Sequence, residues 1–131
     1  MENEIICLDT SILIDFFRKK KKEYSVLYEL SQKYVMFATS VITEYEIFTG
    51  STKEQQVFWE DFFTNIVVLP FDSETSKVAV DVFRGLKMKS KLIEVPDILI
   101  AATAIKNNMQ LATLNKKHFE RIEGLQLIEL K

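Results

Sequence analysis

The sequence predicts an α/β domain with a short, mainly parallel sheet of four or five strands and helices on both faces of that sheet. Short apolar runs alternate with segments of helical periodicity along the chain, a pattern typical of parallel strands joined by crossover helices. The 131 residues leave room for about one domain. With 47% apolar and 27% charged residues, and only 3 Gly and 2 Pro, the composition excludes collagen-like, low-complexity and disordered chains. We therefore expect residues 1–131 to form a single domain.

The first third of the chain predicts two strands separated by two helices. Residues 4–8 form an apolar run that suits a buried strand. Segments 11–18 and 22–33 follow, each with apolar side chains at helical spacing. The run at 35–38 predicts the second strand.

The middle of the chain carries two helix starts. Residues 39–40 are good N-caps, and the helix that they open is expected to end before Gly50. The pattern Thr-x-x-Gln at 52–55 is a capping box that opens a helix to about residue 64. The apolar run at 66–70 predicts the third strand.

The longest predicted helix covers about residues 74–88 and is capped by Asp72 or Ser73. Pro96 suits the first position of the next helix. The remaining elements are that helix to about Asn107, a strand over 110–114, a short helix over about 116–121 and a last strand over 125–130.

Three carboxylates lie among apolar residues, where a charged side chain needs a partner. Asp9 follows the first strand, Glu44 lies near the start of the helix after the second, and Asp97 follows Pro96. Burying a carboxylate costs several kcal/mol unless it is paired, hydrogen-bonded or bound to a cation. Each acid taken singly has an ordinary alternative: an N-cap for Asp9, a charge that favours a helix N-terminus for Asp97, and an exposed helix face for Glu44. The three together on one edge make these alternatives weaker. Glu46 is expected to be exposed.

The predicted topology brings these carboxylates to one edge of the sheet. Ligands of open parallel sheets bind beyond the carboxyl ends of the strands, where Asp9 lies. Glu44 lies about one helical turn, ~5.4 Å, from that edge. Asp97 starts an antiparallel helix there, and Thr113 and Asn115 end the fourth strand. Because no lysine within these motifs neutralises the acids, the pattern favours Mg²⁺ or Mn²⁺, which activate water and shield phosphate charge.

Several segments resemble the PIN-domain ribonucleases, most closely the VapC-type toxins of bacterial toxin–antitoxin pairs. The pattern D-x-x-I-A-A-x-A followed by T-x-N-x-x-x-F is the specific part of the likeness. The matching segments are LDTSILIDFF at 8–17, SVITEYEIFTG at 40–50, PDILIAATA at 96–104 and LATLNKKHFERI at 111–122, with a closing GLQLIEL.

The resemblance implies a PIN-like fold and an endoribonuclease that depends on Mg²⁺ or Mn²⁺. Asp9, Glu44 and Asp97 stand in the positions that would hold the metal. Ser11 matches a small polar residue near that site, and Thr113 matches one that supports the first acid. Cleavage of RNA would leave a 5′-phosphate and a 3′-hydroxyl.

The chain departs from the family pattern at the fourth acid. The two positions where relatives often carry it are Asn115 and His118 here. Asn115 can still donate an oxygen or orient a water, but it adds no charge, so a second metal is not expected to bind tightly. For the lone His118, an ordinary surface role competes with a phosphate contact or a water-mediated role at the metal.

Positive charge is grouped although the net charge is −2. The groups are Arg18–Lys22, then Lys87, Lys89 and Lys91, then Lys116, Lys117 and Arg121. Solvated surface lysine explains any single group, whereas lysines beside an acidic centre would attract a polyanion such as RNA. We expect RNA contacts from Arg18, Lys19, Lys20, Lys116 and Lys117.

The resemblance also implies a homodimer and a small antitoxin protein that inserts into the RNA-binding groove. The aromatic residues of segment 58–63 offer an apolar surface for contact, although most of them also suit the core. The lone Cys7 excludes an internal disulfide and favours a reduced, cytoplasmic setting. No apolar run approaches the ~20 residues that span a bilayer, and the acidic start does not resemble a secretory signal.

Three other functions compete with this interpretation, and the first of them is disfavoured. A phosphoacceptor receiver module needs a pair of acids at the first strand and an aspartate ending the third, whereas Asp9 stands alone and the third strand ends at Pro70. A catalytically silent PIN-like module would only bind RNA or a partner. A PIN nuclease of RNA maturation or turnover would share the whole site.

Overall fold

The fold is built on a four-stranded sheet in which every pair of neighbouring strands is parallel. A computed structural model describes the backbone of residues 2–130 and the side chains of residues 4–130. The strand order is β3-β2-β1-β4. The strands are β1 (Glu2–Leu8), β2 (Tyr34–Ser40), β3 (Val67–Leu69) and β4 (Leu111–Ala112). The predicted α/β class with a parallel sheet is confirmed.

The helices follow the predicted order. They are α1 (Thr10–Arg18), α2 (Val26–Ser31), α3 (Val41–Thr49), α4 (Lys53–Thr64), α5 (Ser73–Met88), α6 (Val95–Lys106) and α7 (Lys116–Phe119). The predicted N-caps Ser40, Thr52 and Asp72 each accept a hydrogen bond from a backbone N–H of the first helical turn, and Thr52 forms the full capping box with Gln55.

The helix predicted over 22–33 is interrupted. Lys22–Tyr24 form a 3₁₀ turn, and α2 begins only after Ser25. The Ser25 hydroxyl donates to the Lys22 carbonyl at 2.6 Å and accepts from the Tyr28 N–H at 3.2 Å. A serine that ends one turn and caps the next helix divides the segment.

The last predicted strand, over 125–130, is wrong in extent. Within the described residues it is a single parallel bridge between Leu111 and Leu127. The Leu111 N–H donates to the Gln126 carbonyl at 2.8 Å, and the Ile128 N–H donates to the Leu111 carbonyl at 2.9 Å. Its partner β4 has only two residues, so the ladder has nothing further to pair with.

The core lies in two layers, one on each face of the sheet. Because strand side chains alternate, Ile6 and Leu8 of β1 pack with residues of α1, α2 and α4, whereas Cys7 packs with residues of α5 and α6. Helices therefore cover both faces, as predicted. The buried Cys7 thiol has its pKa raised to about 12, chiefly by burial, so it is chemically inert.

This arrangement puts the starts of three connecting segments at one edge of the sheet. β1 leads into α1 at Asp9, β2 leads into α3 at Ser40, and β4 ends before Thr113. Because all strands are parallel, the three points share the carboxyl edge. Among residues 2–130, none of the helices has both the length and the apolar character needed to cross a bilayer.

Candidate active site

Asp9 is the most buried acid of this edge, with 3% of its surface exposed. It is the N-cap of α1, and its Oδ1 accepts from the Ile12 N–H at 3.2 Å and from Ser11 Oγ at 2.6 Å. Its Oδ2 accepts from Thr113 Oγ1. Burial raises the pKa of Asp9 to about 6, against the opposing effect of these hydrogen bonds. Asp9 is therefore both the N-cap of α1 and a buried acid of the site.

The end of β4 is tied to the start of α1 around Asp9. The Asp9 N–H donates to the Ala112 carbonyl at 3.1 Å, and the Leu114 N–H donates to Ser11 Oγ at 2.9 Å. Thr113 Oγ1 accepts from the Asn115 N–H at 2.9 Å while it donates to Asp9. Both oxygens of the Asp9 carboxylate therefore have protein donors, and its orientation is set.

Asp97 lies in the first turn of α6 and is half-buried, with 23% of its side chain exposed. Its pKa is raised, chiefly by burial. The charge of Asp97 also contributes to the raised pKa of Asp9, so the two carboxylates lie near one another. Among the described residues, the one side chain within ion-pair distance of the Asp97 carboxylate is His118, whose Nδ1 lies 3.5 Å from Asp97 Oδ2.

The structure places Glu46, not Glu44, in contact with this region. Glu46 is half-buried, and its Oε1 accepts from Thr10 Oγ1 at 2.6 Å, next to Asp9 in the chain. The expectation that Glu46 is exposed is therefore wrong. Glu44 is also half-buried but makes no hydrogen bond or ion pair with the residues that the structure describes. Because residues two apart point about 200° apart on a helix, only one of the two faces Thr10.

The burial of Thr43 explains why Glu46 faces the start of α1. Thr43 is fully buried, and Glu46 follows it by three positions, so the two share a helix face. Thr10 Oγ1 lies 3.1 Å from Thr43 Oγ1 as well as near Glu46, which confirms that this face meets the start of α1. Hydropathy around Glu44 is similar, so apolar surroundings alone do not separate the two glutamates.

The donor set fits a hard divalent cation. Asp9 and Asp97 are near one another, and both have pKa values raised by burial, so their ionised forms gain from a nearby cation. Mg²⁺ in proteins is held by one or two carboxylates and keeps several waters. Over the described part of the chain, no three Asp, Glu, His or Cys side chains lie close enough to hold an ion together. Neither Glu44 nor Glu46 therefore joins Asp9 and Asp97 in a ready-made cluster.

The two residues in place of a fourth acid differ in surroundings. Asn115 is exposed and is the N-cap of α7, where its side chain makes no capping hydrogen bond. His118 is half-buried in α7 and faces Asp97.

The basic run after α1 divides into two kinds of residue. Arg18 and Lys19 line an open cleft of about 490 Å³ that also includes Ser11 and Leu114, and Lys19 forms an ion pair with Asp15 at 3.5 Å. Lys20 is exposed. Leu114 also lines a smaller cleft of about 210 Å³ with Lys116, whose Nζ lies 3.4 Å from Glu129 Oε1. Lys117 is exposed beside it.

Lys22, the last residue of that run, has a structural role. Its Nζ donates to the carbonyls of Phe16 and Phe17 at 2.6 and 3.0 Å and lies 4.8 Å from the centre of the Phe16 ring. It thus satisfies carbonyls at the C-terminal end of α1. Its ammonium is directed to the protein rather than to solvent.

The aromatic residues of α4 are partly core and partly surface. Trp59 and Phe63 are buried, as expected, whereas Phe58 keeps 38% of its surface exposed. Trp59 also lines a cleft of about 400 Å³ together with Phe17 and Glu46. This cleft between α1, α3 and α4 reaches the Glu46 side of the site.

Comparison with known proteins identifies the family. The PIN domain family matches residues 6–125. Ribonuclease VapC1 of Methanocaldococcus jannaschii is 35% identical, over 98% of this chain and 90% of the relative.

Solved structures agree with the sequence relatives. The VapBC2 structure from Rickettsia felis bound to a DNA fragment from their promoter has a TM-score of 0.83 at 28% identity, covering 97% of this chain and 99% of that one. A toxin–antitoxin complex from Klebsiella pneumoniae has a TM-score of 0.72 at 28% identity, covering 92% and 94%. The chain belongs to the PIN-domain family and, within it, to the VapC group of ribonucleases.

Proposed function

We propose that the protein is a metal-dependent endoribonuclease and the toxin of a VapBC-type pair. The observation that carries the proposal is the buried Asp9 carboxylate beside Asp97 at the carboxyl edge of a PIN-domain sheet. Two such acids with pKa values raised by burial are typical of a functional site rather than of a stabilising core. Relatives named as VapC ribonucleases supply the reaction class.

Asp9 and Asp97 would hold Mg²⁺ or Mn²⁺, with Glu46 as the third acid in place of the Glu44 expected from the sequence. When bound, the ion would activate water and shield the charge of the scissile phosphate. Ser11 and Thr113 hold the Asp9 carboxylate in one orientation. Hydrolysis would leave a 5′-phosphate and a 3′-hydroxyl.

Asn115 adds no negative charge, so we propose one tightly bound ion rather than two. Its exposed amide at the start of α7 can contact a water or a phosphate oxygen. The loss of one acid leaves the site less negative, which eases the approach of a polyanion.

Purified protein is expected to cleave single-stranded RNA with Mg²⁺ or Mn²⁺ and to stop when a chelator is added. Adding the ion back should restore cleavage, because the carboxylates supply only ligand oxygens and the metal ion supplies the Lewis acid. The end groups of the products are identified by testing whether their 5′ ends carry a phosphate. Undiminished cleavage in excess chelator would contradict the metal requirement, and RNA binding without cleavage would favour the silent PIN-like module.

We propose that RNA follows the clefts on either side of Leu114. Arg18 and Lys19 line the larger cleft beside Ser11, and Lys116 lines the smaller one. Both clefts begin at residues that border Asp9, so phosphates bound there lie close to the acids. Lys20 and Lys117 are exposed and add to the same positive field.

Neutralising Arg18 and Lys19 together is expected to weaken RNA binding and its salt dependence. For a single strand, losing two phosphate contacts lowers the slope of log K against log salt by about 1.4. The measurement is RNA affinity from low to moderate salt. A matched control neutralises Lys77 and Arg84, exposed residues of α5 that line neither cleft. Equal effects from both pairs would rule out a path along α1.

For partners we propose a homodimer and a small antitoxin, in the cytoplasm. The cleft between α1, α3 and α4, with Phe17 and Trp59 in its walls, offers an apolar surface next to Glu46. An antitoxin segment in this cleft would lie against the acidic site and block it. The toxin–antitoxin complex from Klebsiella pneumoniae supports such a partner.

Expression of the protein alone is expected to arrest bacterial growth, and co-expression of the neighbouring small gene is expected to relieve the arrest. The reason is that free ribonuclease degrades cellular RNA, whereas the partner occupies its cleft. Growth curves and RNA integrity measure the effect, with an Asp97→Asn chain as the inactive control. Harmless expression of active enzyme would instead favour a role in RNA maturation or turnover.

A further inference from the structure

We propose that His118 is a positioning residue for Asp97, because its Nδ1–H donates to Asp97 Oδ2 and orients the carboxylate towards Asp9. The pair lies 3.5 Å apart in the structure. The effect of this contact on cation binding rests on the proposed function. The hydrogen bond itself can be tested without metal or RNA.

Asp97 depends on this contact because little else holds it. Asp9 has three protein donors on its two oxygens, whereas His118 is the one side chain within ion-pair distance of the Asp97 carboxylate among the described residues. A half-buried aspartate with a single partner keeps rotational freedom about its side-chain bonds. Removing the imidazole therefore leaves the position of one carboxylate undetermined.

His118, in turn, has no alternative for its inward nitrogen. Nδ1 is enclosed and has no hydrogen-bond partner of normal geometry within residues 2–130; the acceptor beside it is Asp97 Oδ2 at 3.5 Å, and the side chain as a whole is 44% exposed. A buried N–H without an acceptor costs about 1–3 kcal/mol. The separation of 3.5 Å exceeds the 2.7–2.9 Å typical of a charge-assisted hydrogen bond.

The backbone holds the imidazole in place. The His118 N–H donates to the Asn115 carbonyl at 3.0 Å, and the next residue, Phe119, is fully buried in the α5–α6 layer of the core. The ring is thus carried on an anchored turn. Thr113, five residues earlier, donates to Asp9. The short segment 113–118 therefore contacts both acids, Asp9 through a hydroxyl and Asp97 through an imidazole.

The tautomer of His118 tests the hydrogen bond directly. His118 is the only histidine in the chain, so ¹⁵N imidazole spectra report on this residue alone. In metal-free protein at a pH where the ring is neutral, we expect the hydrogen on Nδ1, opposite to the tautomer that free histidine favours. Asp97→Ala should return the ring to the Nε2–H form. An Nε2–H ring in the unsubstituted protein would overturn the proposal.

Cation affinity tests the consequence. We expect His118→Ala to weaken Mn²⁺ binding about tenfold or more, measured by calorimetry without RNA. His118→Asn should restore most of the affinity because its amide nitrogen is as many bonds from Cα as Nδ1 is, whereas His118→Gln, one bond longer, should not. Thermal unfolding checks that each variant is folded.

The outcomes separate this inference from the proposed function. If the unsubstituted protein binds no Mn²⁺, the proposed function fails, and the tautomer still decides whether His118 bonds to Asp97. If His118→Ala binds Mn²⁺ as tightly as the unsubstituted protein, the positioning role is overturned while the function stands. Equal losses in the Ala, Asn and Gln variants would also overturn it, since they would indicate a merely structural role.

Discussion

An Asp9→Asn variant is expected to cleave RNA about a thousandfold more slowly than the unsubstituted protein. At neutral pH and without metal, its free energy of unfolding is expected to be higher. The loss follows from the charge, because a neutral amide holds a divalent cation poorly. The amide can keep the local hydrogen bonds. Its oxygen can accept from Ser11 and Ile12, and the Thr113 hydroxyl can turn to accept from the amide nitrogen.

The gain in stability follows from the pKa of Asp9. Its value of about 6 in the folded chain lies above the ordinary 3.8, so between these pH values the folded state binds more protons than the unfolded state. The free energy of unfolding therefore falls as pH rises from about 4 to about 6, by about 3 kcal/mol in total, and stays lower at neutral pH. Asp97 contributes in the same direction. Urea unfolding of metal-free protein at several pH values measures the change.

In the Asn variant this contribution to the pH dependence should disappear, and added Mg²⁺ should no longer raise the unfolding midpoint. Asp72 provides the matched control, since it caps α5 as Asp9 caps α1 but is exposed, and its hydrogen bonds with Thr75 lower its pKa. Asp72→Ala should lower stability and leave cleavage unchanged. An Asp9→Asn chain that still cleaves RNA would contradict the assignment of this acid.

The second large effect is expected at Glu46 and not at Glu44. Glu46→Gln should lower cleavage and Mn²⁺ affinity by about ten- to a hundredfold, since it removes the charge that lies against Thr10 beside Asp9. Gln keeps an oxygen that accepts from Thr10, so the fold should be preserved. Glu44→Gln should leave both quantities within about twofold, because Glu44 makes no hydrogen bond or ion pair with the described residues.

The two glutamine variants are matched controls for each other, being the same substitution two positions apart on one helix. Cleavage rates and calorimetric Mn²⁺ affinities, with thermal unfolding as a check on folding, separate them. The reverse result, with Glu44→Gln inactive and Glu46→Gln active, would restore the acid expected from the sequence and refute the one placed by the Thr10 contact.

Local patterns predicted most of the fold correctly. The caps Ser40, Thr52 and Asp72 start helices because each satisfies a backbone N–H within three residues, an interaction that needs no distant partner. The family was also predicted correctly, because the motifs that resemble the PIN-domain ribonucleases span most of the chain. The strand expected over 125–130 is reduced to one bridge because a strand can pair only along the length of its neighbour, and β4 has two residues.

The candidate site was predicted only in part. Asp9 and Asp97 could be placed at one edge because both adjoin elements whose direction follows from a parallel sheet. Glu46 could not be preferred over Glu44, because both lie in the same apolar run and only contact with Thr10 distinguishes them. The sequence also did not distinguish Lys22 from the neighbouring lysines of the basic run, although only the structure shows that Lys22 donates to the carbonyls of α1.

Composition and periodicity alone thus determined the α/β class, the order of elements and the edge at which the acids gather, because these follow from short-range hydrogen bonding and from which faces are apolar. Tertiary structure decided which carboxylate faces which donor, since helix rotation and the approach of α1, α3 and α7 set distances of a few ångströms that no local pattern encodes. The contacts of Glu46 with Thr10 and of His118 with Asp97 are set by the tertiary structure in this way.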